Sequence, residues 1–360
     1  MAQHNSIQVV QHLKPGGIET LALELDKLSP SKGNRYILSL EGERQHALNT
    51  WPRLQPVANR LIFMNKQPGL RLGLIWQLAQ LFRQLNISTV HSHHIGPLFY
   101  AGAAARLARV SHLIHTEHDA WYLREMKNRR LQKRLCKLLQ PKIIADAKRV
   151  ALDVASYLKC PPPQVILNGI DSQYFKPGNS VLARAKFNLP YTKYIIGSGG
   201  RLAPEKGHKY LIQALPLLPK QTHLVIAGHG SEFVPLNELV TKLGLSDQVT
   251  FLGRVDDMVS FYQSLDVFCL PSLNEGMPLA PLEAQACGVP AVVTATGASR
   301  EALCPISGRI VQKANPQALA AALLEAMLSE TQASIPRGFV TDHADIRRTI
   351  AAYQALTNVS

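Results

Sequence analysis

The feature that most constrains this chain is an alternation of short runs rich in β-branched residues with longer runs whose apolar residues recur at helical spacing. Parallel strands need a crossover long enough to hold a helix, so this alternation predicts parallel sheets covered by helices. Strands are expected at 7–13, 35–40, 61–65, 89–93, 112–116, 142–145 and 165–167, with helices at 18–28, 70–85, 98–108 and 147–158. The run Pro161-Pro162-Pro163 and the turn-rich stretch 168–179 then interrupt the pattern. It restarts with strands at 194–197, 223–227, 249–252, 267–270 and 291–294 and helices at 205–215 and 238–243. A length of 360 residues exceeds the roughly 100 to 200 of one domain. The expected fold class is therefore α/β, with two doubly wound, Rossmann-like domains whose parallel sheets face a central cleft. A tail at 342–356 regains helical spacing after a break at Pro336-Arg337-Gly338.

Composition narrows the partners. A net charge of +14 calls for something acidic: a phosphorylated small molecule, an anionic membrane or nucleic acid. Part of the excess is crowded into Arg124, Lys127, Arg129, Arg130, Lys133, Arg134 and Lys137 around a single Glu125. Leu131, Leu135, Leu138 and Leu139 share one helical face there, which is expected to pack on the first sheet while the cations meet lipid headgroups. Few aromatics interleave with these cations, which ranks nucleic acid last. No basic-then-apolar leader follows Met1 and no apolar run reaches the ~20 residues of a membrane span. The expected location is cytoplasmic, peripheral to the inner face of the membrane. Five cysteines without paired spacing argue for packing rather than disulfides or a zinc ribbon.

Ligands of open α/β sheets bind outside the carboxyl ends of strands, so the residues after each strand carry the functional information. Gly197-Ser198-Gly199-Gly200-Arg201 follows one strand and precedes a helix. Glycines there let the backbone approach a phosphate, and Arg201 with Lys206 supplies positive charge; the same residues also suit a tight turn beside two solvated cations. In the segment from Ser272 to Glu283, Gly276 and Pro278 suit a loop that opens a helix near Leu279, with Glu275 on the loop. Glu283 falls one turn inside, where a carboxylate accepts hydrogen bonds from sugar or ribose hydroxyls, or merely complements the helix dipole.

Together, Gly200-Arg201-Leu202-Ala203-Pro204-Glu205-Lys206-Gly207, Ala227-Gly228-His229-Gly230, Phe251-Leu252-Gly253 and Pro271-Ser272 ahead of Glu275 and Glu283 resemble glycosyltransferase family 4, the glycosyl transferases group 1. Glu283-Ala284-Gln285-Ala286-Cys287-Gly288-Val289-Pro290 and Asn168-Gly169-Ile170-Asp171 are similar to that family too. The likeness is weaker in Gly16-Gly17-Ile18-Glu19 and between His115 and Asp119. The resemblance implies a GT-B fold and a retaining transferase. Its acceptor-side domain would span 1–171, its nucleotide-sugar domain 172–340, and a helix at 341–360 would pack back on the first domain. It also implies that Arg201 and Lys206 hold the donor diphosphate, Glu283 the ribose and Glu275 the transferred sugar. Gly200 would lie at the phosphates and the backbone of Gly276, Met277, Pro278 and Leu279 at the phosphate and sugar. Val255 would lie near the base, Gly16 and Gly17 across from the diphosphate, and His118 beside the reacting sugar. The catalytic set so implied is His118, Glu275, Arg201 and Lys206. The donor it implies is a UDP- or GDP-linked sugar, the acceptor a glycan or lipid-linked molecule, and the setting bacterial surface polysaccharide or lipopolysaccharide assembly. His229, Gly297-Ala298 and Asp146 depart from the usual pattern, and serine is frequent at the position of Asp146.

Two other readings compete. His91, His93 and His94 end one expected strand and His115 and His118 the next, a placement that could gather a metal for a hydrolase. That reading leaves Arg201, Lys206, Glu275 and Glu283 unused, and without an Asp-x-Asp motif neither a metal on the diphosphate nor any cofactor is expected. The other is a module that binds a nucleotide sugar without turnover, against which the intact charged set argues.

Overall fold

The structure, a computed structural model, describes residues 4–30, 33–329 and 331–357. The chain divides into two compact units, Met1–Asn168 with Ile346–Ser360, and Gly169–Asp345. The division falls three residues before the expected first boundary and five after the second.

In the first unit the strands are β1 (Asn5–Val10), β2 (Arg35–Ser39), β3 (Leu61–Phe63), β4 (Ile87–His93), β5 (His112–Glu117), β6 (Lys142–Ala145) and β7 (Gln164–Val165). They form a parallel sheet in the order β3-β2-β1-β4-β5-β6-β7. Ile7, Val9, Leu38, Val90 and Leu113 face one layer of helices, meeting Leu78, Phe82, Leu135 and Leu139. Ile114, Ile144 and Ile166 meet Leu21 and Leu25 together with Ile346, Ile350, Tyr353 and Leu356 of the C-terminal helix Ile346–Ala355. The tail thus completes the core of the first unit.

The second unit contains β8 (Tyr194–Gly199), β9 (Thr222–Ala227), β10 (Val249–Gly253), β11 (Val267–Leu270), β12 (Ala291–Thr294) and β13 (Arg309–Val311), in the order β10-β9-β8-β11-β12-β13. Every residue of β9, β11 and β12 is buried, as a parallel strand covered on both faces requires. Ile196, Leu224, Val267 and Val292 pack against Leu211, Leu236, Leu319 and Leu323.

Three expected elements differ. The helix at 205–215 is broken into a 3-10 turn Pro204–Lys206 and a helix His208–Ala214, because Gly207 turns left-handed at φ 66°. A Cβ there would stand 2.2 Å from the Pro271 carbonyl oxygen, so the turn packs directly on the loop after β11. The break expected at Pro336-Arg337-Gly338 lies inside the helix Ser334–His343. Pro336 is its third residue, where no intrahelical acceptor exists for an N–H. The chain leaves the helix instead at Ala344, whose carbonyl accepts from the Ile170 amide at 2.9 Å. In the helix Met126–Leu139 the buried face is Gln132, Leu135 and Leu139, not the four leucines. Leu131 and Leu138 are 38% and 75% exposed. Gln132 takes the inward position because its amide donates to the buried Glu117 carboxylate at 2.6 Å.

Candidate active site

Strand order reverses between β8 and β11 in the second sheet and between β1 and β4 in the first. In open α/β sheets, loops leaving the strands at such a reversal diverge to opposite sides, and ligands bind between them at the carboxyl edge.

At the second sheet's reversal, Gly200 leaves β8 with φ 142°, and the chain runs through Arg201 to the Pro204–Lys206 turn. The Leu273 amide donates to the Glu205 carbonyl at 2.8 Å, tying that turn to the loop after β11. Lys206 Nζ then lies 2.7 Å from Glu275 Oε1, which also accepts from Ser272 Oγ at 2.6 Å. Glu275 is buried and Lys206 half-buried, so this ion pair is partly shielded from water. Arg201 is exposed and pairs with Glu205 at 2.7 Å, a surface contact that costs little to exchange. The loop after β12 brackets the site from its other side. The Ala298 amide donates to Gly276 at 2.9 Å, and Gly297, at φ 49°, approaches so closely that a Cβ would stand 1.7 Å from the Glu275 carbonyl oxygen. Met277 and Pro278 are buried, Gly276 and Leu279 half-buried, and Leu279 leads into the helix Ala280–Ala286. In that helix Glu283 accepts from the Tyr262 hydroxyl at 2.7 Å. Tyr262 is 1% exposed, and burial together with the Glu283 charge holds its phenol well above the ordinary range. Val255 is half-buried in the loop after β10.

At the first sheet's carboxyl edge, Gly16 precedes the helix Gly17–Leu28 in an extended conformation. Glu19 fills the space beneath it, with an oxygen 2.3 Å from where a Cβ on Gly16 would stand. Burial raises the Glu19 carboxyl to about 7, and its oxygen lies 3.2 Å from His12 Nδ1. Next to this loop, β4 ends in His93 and is followed by His94, whose φ of 67° and ψ of 163° form a backbone conformation that side chains rarely adopt.

His118 uses both ring nitrogens: Nδ1 is 3.1 Å from Asp146 Oδ2, and Nε2 is 2.9 Å from His93 Nδ1. His91 bonds Thr116 at 2.7 Å, while His115 bonds Ser92 at 3.0 Å and Glu117 at 3.2 Å. These rings are committed to separate partners rather than turned toward one point. Among the described residues no three histidine, cysteine, aspartate or glutamate side chains could hold a metal ion together.

Two family profiles match the chain: "Glycosyltransferase Family 4" over residues 15–174 and "Glycosyl transferases group 1" over residues 181–337. The chain belongs to glycosyltransferase family 4. Among its relatives, the D-inositol 3-phosphate glycosyltransferase of Mycolicibacterium gilvum is 34% identical over 52% of this chain and 45% of that protein. Its counterpart in Mycobacteroides abscessus is 30% identical over 58% of this chain and 51% of that protein. The chain therefore spans about half the length of the relatives it matches. Anabaena HepE, solved in complex with UDP and glucose, superposes with a TM-score of 0.86 at 21% identity, over 99% of this chain and all 100% of that one. WaaG, a glycosyltransferase involved in lipopolysaccharide biosynthesis, superposes with a TM-score of 0.72 at 15% identity, over 98% and 100%. Both likenesses are of fold, and the fold is GT-B.

Within this family 4 chain, Gly200, Arg201, Lys206, Glu275 and Gly276 through Leu279 gather at the second sheet's reversal, with Glu283 on the helix that follows. Val255 stands on the edge-strand loop. Gly16, Gly17 and His118 lie at the carboxyl edge of the first sheet. Sequence reasoning quoted Ser272 in its motif without giving it a role, and missed Tyr262, the partner of Glu283, and the pairing of His118 with Asp146 and His93. Ser272 stands three residues before Glu275, close enough for its bond to be read from spacing, whereas Tyr262 and Glu283 are 21 residues apart and meet only through packing.

Proposed function

We propose that this chain is a retaining glycosyltransferase that moves a sugar from a UDP- or GDP-linked donor to a glycan or lipid-linked acceptor, in bacterial surface polysaccharide or lipopolysaccharide assembly. The observation that carries this reading is the Lys206–Glu275–Ser272 group at the reversal of the second sheet. The UDP and glucose in the HepE complex and the lipopolysaccharide role of WaaG support it.

The reaction breaks the bond between the anomeric carbon and the donor phosphate oxygen, which keeps the electron pair. The acceptor hydroxyl oxygen bonds the anomeric carbon on the same face and passes its proton to that phosphate oxygen. Lys206 and Arg201, with the backbone from Gly276 to Leu279, stabilise the charge growing on the diphosphate. Glu275 holds sugar hydroxyls, Glu283 holds the ribose, Val255 flanks the base, and Gly16 and Gly17 lie near the phosphates. His118 bonds a sugar hydroxyl, and no metal or cofactor takes part. A thermal-shift screen of UDP-, GDP- and ADP-sugars identifies the donor, because a ligand of the native state raises its stability. NMR of the product made from an α-linked donor should then show an α-glycoside, with a rate indifferent to a chelator. A β-glycoside overturns the mechanism.

The helix Met126–Leu139 is the proposed contact with an anionic membrane; no helix of the described residues is long and apolar enough to cross one. Exposed Arg130, Lys133, Arg134 and Lys137 accompany exposed Leu131 and Leu138, a pairing of cations and apolar side chains suited to a headgroup layer. Arg129 is otherwise occupied: it donates to the Leu123 and Arg124 carbonyls and lies over the Tyr157 ring. At about 1 kcal/mol per cation near the surface, changing Arg130, Lys133 and Arg134 to glutamine should abolish sedimentation with phosphatidylglycerol vesicles. Equal binding to phosphatidylcholine vesicles overturns this contact.

A further inference from the structure

A chain of buried hydrogen bonds runs along the carboxyl edge of the first sheet. Asn168 Nδ2 donates to Asp146 Oδ2 at 2.7 Å, the same oxygen faces His118 Nδ1 at 3.1 Å, His118 Nε2 faces His93 Nδ1 at 2.9 Å, and His93 Nε2 faces Gln8 Oε1 at 2.8 Å. Its members come from β1, β4, the ends of β5 and β6, and the segment after β7, so the whole width from β1 to β7 holds it in place. Asp146, His93 and His118 are 1%, 0% and 4% exposed.

With Asp146 as a carboxylate, counting protons gives the direction of the chain. Three contacts link Asp146, His118, His93 and Gln8, and each needs one proton. With Gln8 Oε1 facing His93 and Asp146 ionised, both ends of the chain are acceptors, and the two rings have to carry three protons between them, one as an imidazolium. Burial opposes that charge, and drives both rings well below the ordinary histidine range. If the Gln8 amide presents its NH2 group, two neutral rings suffice. Amide oxygen and nitrogen exchange places by a half-turn, so this arrangement keeps every distance. All the hydrogen bonds then point toward Asp146, which as a carboxylate can only accept.

We propose that Asp146 is a positioning residue that fixes His118 as the Nδ1–H imidazole, leaving its Nε2 lone pair as the point where a donor-sugar hydroxyl replaces His93. His118 therefore accepts a hydrogen bond from the sugar and raises electron density on that hydroxyl as positive charge develops on the ring. Asn168, donating to the same oxygen of Asp146, keeps that oxygen aimed at Nδ1. A serine at this position offers a hydroxyl that either donates or accepts, and would leave the tautomer of His118 open. The inference rests on the assignment of His118 to the sugar, and its first test does not.

NMR of the imidazole nitrogens in the full chain with isotope-labelled histidine, near neutral pH and without ligand, should show His118 neutral and protonated at Nδ1. The His118→Gln protein assigns its signals. A resting Nε2–H tautomer or an imidazolium overturns the proposal. Asp146→Ala should shift His118 toward Nε2–H, and should lower kcat about 10- to 100-fold, the usual scale for a residue that orients a ligand from behind, with donor KM changed less than about 3-fold. Asp146→Asn, whose oxygen Asn168 still holds, should keep the tautomer and recover most of kcat. Wild-type kcat in the alanine variant, or an unchanged tautomer there, overturns the proposal. If no nucleotide sugar is turned over by the wild-type chain, the transferase reading fails while the tautomer assignment still stands on the NMR result.

Discussion

Replacing Lys206 with alanine is expected to lower kcat about 100-fold while donor KM changes less than about 10-fold. The ammonium group is held 2.7 Å from Glu275 by a turn that is itself bonded to the loop after β11, so its place is set before substrate arrives. A preorganised charge of this kind acts where negative charge grows during bond breaking, and its loss falls on the transition state more than on the bound substrate. The alanine variant also strips Glu275 of its cation, leaving the Ser272 hydroxyl as the partner recorded at the same oxygen. Glu275→Gln should be similarly severe, since an amide cannot hold Lys206 and sugar hydroxyls together as a carboxylate does. Arg201→Ala should cost less, because that side chain is exposed and tied to Glu205 at the surface. Steady-state kinetics on the three variants decides the matter. A raised KM with unchanged kcat for Lys206→Ala would mean that Lys206 binds donor and transition state equally well, against the role assigned to it.

Ending the chain after Asp345 is expected to abolish stable folding of the first unit. The deletion removes Ile346, Ile350, Tyr353 and Leu356, all buried against Leu21, Leu25, Ile114, Ile144 and Ile166. At roughly 1.5–3 kcal/mol for each large apolar side chain, the loss is about 6–12 kcal/mol, comparable to the roughly 5–15 kcal/mol that holds a whole domain together. Polar contacts go with it. The Tyr353 hydroxyl lies 2.9 Å from Thr116 Oγ1, which lies 2.7 Å from His91, and Thr349 donates to the Leu167 carbonyl at 2.8 Å. Urea denaturation followed by circular dichroism measures the effect. A truncated chain with the full-length midpoint and unchanged turnover would show that the tail is dispensable.

The strands were legible because each is a short β-rich run whose apolar pattern is set by burial. Lys142–Ala145, Val267–Leu270 and Ala291–Thr294 coincide with the stretches expected from sequence. The loops that carry Arg201, Lys206 and Glu275 were legible for a related reason: glycine and proline mark chain reversals, and these reversals follow strand ends, where ligands of open α/β sheets bind. Gly207 and Gly297 explain why these turns tolerate no side chain, since each brings backbone against backbone. What misled was local. Pro336 reads as a helix breaker, yet in a first turn it breaks nothing. Four leucines in the helix Met126–Leu139 read as one buried face, yet Gln132 displaced two of them because Glu117 needed a donor.

Sequence alone determined the elements, their parallel arrangement and the loops in which charge gathers, because periodicity, turn chemistry and covalent neighbourhood are properties of a few consecutive residues. Tertiary structure alone decided the pairings across the chain: Lys206 with Glu275, Tyr262 with Glu283, Tyr353 with Thr116, and Asp146 with His118. A buried polar group must find its partner wherever packing places one, at separations of 69, 21, 237 and 28 residues here. Sequence showed that Asp146 and His118 each end a strand. That they share a hydrogen bond follows from β5 and β6 lying side by side in the sheet, with Glu117 in register with Ala145.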